Sequence, residues 1–109
     1  MDFKKKESWI WALNTLNKYY REFTLNYKNS ETGGNQKTRK AAKEVVNGSI
    51  LSSVSIIRDN PELKSLFLDG AVGQYSAEKF EELRIPKYFN YDMPQIINAI
   101  NVKIDEWEE

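Results

Sequence analysis

The C-terminal stretch Asp92-Met93-Pro94-Gln95-Ile96-Ile97-Asn98-Ala99-Ile100-Asn101-Val102-Lys103-Ile104-Asp105-Glu106-Trp107-Glu108-Glu109 spaces Met93, Ile97, Ile100, Ile104 and Trp107 by 4, 3, 4 and 3 residues. Side chains at these intervals share one face of a helix, and Ile96 broadens the stripe. With Asp92 available as an N-cap, the spacing predicts an amphipathic helix over about 92–108. Its apolar stripe needs other helices to cover it.

The same rhythm recurs upstream. Trp9, Leu13, Leu16, Tyr20, Phe23 and Tyr27 follow one another at 4-3-4-3-4, with Ile10 and Leu25 widening the seam, which predicts a helix over about 7–28. Asn29-Ser30-Glu31-Thr32-Gly33-Gly34-Asn35 reads as a loop by composition. Ala42, Val46, Ile50, Val54 and Ile57 then mark a helix over about 37–58. Within it, 49–57 is rich in β-branched and Ser residues and also fits a strand, but no turn-linked partner strand exists elsewhere. Asn60-Pro61-Glu62 opens a short helix over about 61–69, with Asn60 as its cap and Gly70 as its stop. Another is expected over about 76–85, ended by Pro86, with Lys87-Tyr88-Phe89-Asn90-Tyr91 as an aromatic linker. The expected fold is an all-α small helical bundle, one domain over 1–109, with three long helices and two short ones.

Composition narrows the chemistry. The 109 residues include no Cys and no His. Disulfides, thiol nucleophiles, imidazole acid–base catalysis and the usual zinc sites are therefore excluded. Glu78, Glu81 and Glu82 are expected to be ordinary solvated carboxylates of a short helix. Gly33-Gly34-Asn35-Gln36-Lys37-Thr38 fails the phosphate-loop pattern, because Gln36 stands where Gly must precede Lys and no strand leads in. No catalytic, cofactor or metal-binding residues are expected, and the chain is read as non-enzymatic. Lys4–Lys6 before an apolar run ending at Asn14 is too short a pattern for a secretory leader, and no stretch reaches membrane-span length, so a cytoplasmic protein without membrane contact is expected. The abundance of Asn, Lys and Ile points to an AT-rich bacterial or phage source.

Formal net charge is zero, yet the charges are segregated. Residues 1–48 hold ten basic and five acidic residues, and the remainder six basic and eleven acidic. Lys37, Arg39, Lys40 and Lys43 crowd the start of the second helix and Asp105, Glu106, Glu108 and Glu109 the end of the last, each the terminus that the helix macrodipole makes unfavourable. Antiparallel packing of these two helices would neutralise both groups, whereas separation would leave a dipolar surface.

Three functional readings follow. The leading one is a small protein-interaction module acting as a stoichiometric inhibitor, immunity protein or regulatory adaptor. Its contacts would come from the loop aromatics Tyr75, Tyr88 and Tyr91 and from the acidic Asp105, Glu106, Glu108 and Glu109, aimed at a basic or nucleic-acid-binding enzyme. The second is nucleic-acid binding through Lys37, Arg39, Lys40 and Lys43, which equally suit an acidic partner, although the domain lacks a positive excess. The third is a homodimeric structural bundle.

Overall fold

The computed structural model describes residues 2–68 and 77–107, which form helices with no strand among them. The elements are α1 (Lys6–Thr32), α2 (Gln36–Asp59), α3 (Pro61–Leu68), α4 (Ala77–Glu82) and α5 (Pro86–Asp105). The expected all-α bundle of three long and two short helices is present. Several boundaries move, each for a local physical reason.

Helix α1 runs one turn past Lys28, through residues whose composition favours a loop. Their hydroxyls bond back into the helix: Ser30 Oγ donates to the Tyr27 carbonyl at 2.6 Å and Thr32 Oγ1 to that of Lys28 at 3.1 Å. Gly33 ends it. A Cβ at this position would stand 2.5 Å from the Asn29 carbonyl oxygen, which accepts the Gly33 N–H at 3.0 Å. Asn35 then caps α2, its Oδ1 accepting from the Thr38 N–H at 2.8 Å. The connection is thus three residues, and α1 and α2 lie antiparallel.

Helix α2 is continuous through 49–57, so the strand alternative falls. Val46, Ile50, Val54 and Ile57 are buried at helical intervals. Ser49 and Ser53 are buried beside them with unpaired hydroxyls. Asn60, expected to cap α3, works backwards instead. Its Nδ2 donates to the Ile56 carbonyl at 2.7 Å and closes α2, while its own carbonyl accepts from the Leu63 N–H at 2.9 Å. Gly70, Tyr75 and Ser76 lie outside the described residues. Helix α4 ends at Glu82, three residues before the expected boundary, in a turn where the Ile85 N–H reaches the Glu82 carbonyl at 2.9 Å. Glu81 is exposed as expected, but Glu82 is half-buried with Oε2 enclosed, so it is not an ordinary solvated carboxylate.

The largest correction concerns α5, which begins at Pro86 and not at Asp92. Pro86 opens this helix rather than only ending the previous one, because proline at the first helical position surrenders an N–H that has no partner anyway. The residues 87–91 are helical rather than linker. Asp92 is buried within the helix instead of capping it, and the helix ends at Asp105, three residues short of the expected limit. Pro94 therefore sits in the helix interior, where it cannot donate to the Asn90 carbonyl. Tyr20 of α1 fills that vacancy, its hydroxyl lying 3.2 Å from the carbonyl and 3.2 Å from Asn90 Oδ1.

Aromatic packing joins α5 to α1. Phe23 and Phe89, both fully buried, have ring centroids 4.7 Å apart, and Tyr27 stacks on Phe23 at 4.8 Å. Further along, Lys103 Nζ lies 5.5 Å from the Trp9 ring, and Trp9 Nε1 donates to the Phe3 carbonyl at 2.8 Å. Residue numbers rise along α5 as they fall along α1, so these helices are antiparallel. It follows that α2 and α5 run in the same direction. Leu63 of α3 and Phe80 of α4 close the core, joined by Leu83 just beyond α4.

Candidate protein-interaction surface

Because α2 and α5 run the same way, the basic start of α2 and the acidic end of α5 fall at opposite ends of the bundle. The helical rise of about 1.5 Å per residue puts Trp9 and Thr32, which mark those ends along α1, roughly 35 Å apart. Among the described residues, Lys37, Arg39, Lys40 and Lys43 therefore do not neutralise Asp105 and Glu106.

Each group has a different neighbour. The first turns of α2 lie beside the last turn of α1, a helix C-terminus that carries no basic residue of its own. Arg39 Nη1 donates to the Gly33 carbonyl at 2.7 Å, satisfying a carbonyl just past the end of α1. The cations that oppose the dipole of α2 therefore suit that of α1. Arg39, half-buried, belongs to this cap, while Lys37, Lys40 and Lys43 point into solvent. At the other end Asp105 and Glu106 are exposed and share their end of the bundle with Lys4–Lys6. Trp107, just beyond α5, packs against the core. Glu108 and Glu109 lie outside the described residues.

The outer face of α5 differs from both ends. Between Lys87 and Lys103 the sole charged residue is Asp92, which is buried. At the chain's 29% charged content, fifteen residues would carry about four charges. The exposed residues here are Tyr88, Asn90, Tyr91, Pro94, Asn98, Asn101 and Val102, with Gln95 half-buried among them. Tyr91 is 71% exposed, the most exposed large hydrophobic residue of the described chain. A groove of about 380 Å³ continues this surface towards α1, lined by Asn17, Pro94, Ile97, Asn98 and Asn101.

Solvated helix faces normally carry Lys and Glu, and their depletion together with aromatic enrichment characterises the centre of protein interfaces. Tyrosine brings a large rigid area with few rotatable bonds, and asparagine supplies adaptable hydrogen bonds. Tyr88 and Tyr91, expected in a linker, are instead fixed on a helix anchored by Phe89. Gln95, Asn98 and Val102 join them on this face without any motif of their own in the sequence. The gap in charge from 88 to 102 is the signal that could have found them.

No protein family, curated protein or solved structure matches the chain.

Proposed function

We propose that the chain is a non-enzymatic protein-interaction module that acts by stoichiometric binding through the outer face of α5, the manner in which an inhibitor, an immunity protein or a regulatory adaptor works. The observation carrying this reading is the uncharged, Tyr- and Asn-bearing face between Lys87 and Lys103 on an otherwise highly charged protein. The exposed lysines and carboxylates at the two ends would set orientation and encounter rate rather than supply most of the affinity.

A photo-crosslinking residue at position 91, compared with one at position 25, tests the reading in the native cell. Leu25 is 67% exposed, so the two sites are similarly accessible. A discrete protein adduct from 91 and none from 25 is expected. Adducts equal at both sites, or absent from 91, would contradict it.

Lys37, Lys40 and Lys43 keep a nucleic-acid reading in second place, weakened because Arg39 is committed to the α1 cap. A gel shift that weakens steeply with salt and is lost in Lys40→Glu would favour it.

A further inference from the structure

We infer that the occupant of the α5 face is a second copy of this chain, laid antiparallel along it. The inference rests on the binding reading above and names the partner. Along the outer stripe of α5 and onto its C-cap, Glu106, the order is Lys87, Tyr91, Gln95, Asn98, Val102, Glu106, spaced by 4, 4, 3, 4 and 4 residues. A cation begins it, carboxylates end it and uncharged residues lie between. Reversing the stripe and placing it on itself sets Lys87 against Glu106 of the second copy, Tyr91 against its Val102 and Gln95 against its Asn98. Two-fold symmetry repeats every contact.

Both ends of the stripe thereby gain an opposite charge, the large tyrosine meets an apolar side chain, and the two amides meet at the symmetry axis. Side-chain amides can donate and accept reciprocally there, which fixes register as a buried polar residue does in a coiled coil. A parallel copy would oppose Lys87 to Lys87 and Glu106 to Glu106, so the charge order selects one orientation. Lys37, Lys40 and Lys43 remain free at the two far ends of such a dimer.

Sedimentation equilibrium over a concentration series, at low and at high salt, reads the association. The mass is expected to rise from the 12.8 kDa monomer towards twice that value, with the transition moving to higher concentration as salt increases. Tyr91→Glu should abolish the rise while leaving the helical circular dichroism intact. Lys87→Glu alone, and Asp105→Lys with Glu106→Lys in one chain, should each stay monomeric because each opposes like charges. Mixing these two variants should restore a dimer, since every end pair is then opposite in sign.

A monomer at every concentration, or a dimer indifferent to Tyr91→Glu, overturns the inference. The binding reading is judged separately by the adduct at position 91. An adduct to a different protein from a strictly monomeric chain retains that reading and rejects the second copy, whereas no adduct and no dimer reject both.

Discussion

The hydroxyl of Tyr20 stands 3.2 Å from the backbone carbonyl of Asn90, the carbonyl that Pro94 leaves without its helical N–H. One side chain of α1 thus completes the hydrogen bonding of α5, 70 residues away, and makes an interior proline compatible with an unbroken helix. Phe23 and Phe89 pack beside it and fix the same junction.

Tyr20→Phe is therefore expected to cost about 1 kcal/mol, the usual net value of a hydrogen bond. The effect should depend on proline. In a Pro94→Ala background the N–H restored at position 94 reaches the Asn90 carbonyl, and the same Tyr20→Phe change should cost clearly less. Urea denaturation of the four proteins gives the coupling as a double-mutant cycle, and additive costs would sink the explanation.

Tyr20 also predicts behaviour in alkali. Burial raises its hydroxyl above the ordinary value of 10.0. The unfolded chain therefore loses this proton first, so its contribution to stability is complete below pH 10 and is lost as pH rises through the higher folded value. The melting temperature should fall between about pH 9 and 11 more steeply for the wild type than for Tyr20→Phe. Parallel profiles would contradict this.

Two glycines should respond in opposite ways to alanine. Gly48 lies exposed inside α2 with nothing beyond its own turn of helix and its chain neighbours within 4 Å of the place an added methyl would take, so Gly48→Ala should stabilise by about 0.5–1 kcal/mol through helix propensity and unfolded-state entropy. Gly33→Ala places a carbon against the Asn29 carbonyl oxygen and should destabilise. Thermal melts suffice to rank them, and the same sign for both would refute the argument.

Within the basic cluster, structure and surface should separate by substitution. Arg39→Ala removes the charge-assisted bond to the Gly33 carbonyl and should cost about 1.5 kcal/mol, whereas Lys40→Ala should fall within about 0.5 kcal/mol of wild type. Denaturant midpoints measure both. Equal costs would return Arg39 to the solvated face.

Much of the fold is legible because helical burial is periodic and local. The stripe from Met93 to Trp107 identifies α5, and the seam from Trp9 to Tyr27 identifies α1. The start of α5 is not legible in the same way. Asp92-Met93-Pro94 is a good local helix opening, and the competing start at Pro86 is stabilised by Tyr20 and Phe23, distant residues that no local pattern reveals. The turn of α1 beyond Lys28 is hidden by Ser30 and Thr32, whose loop preference is cancelled once their hydroxyls bond back to the helix. The fate of the charge blocks depends on the direction of α5 relative to α2, a property of topology alone. The proposed contact face lies in plain sight as fifteen residues with one buried charge, but reading it as a single surface requires knowing that they form one helix.

Covalent side-chain labelling reads that face most directly. Labelling of Tyr91 and Val102 in the native cell, compared with dilute purified protein, should show both protected in the cell while Leu25 stays equally reactive in the two settings. Equal reactivity of Tyr91 in the cell and in dilution would contradict the assignment of α5 as the contact surface.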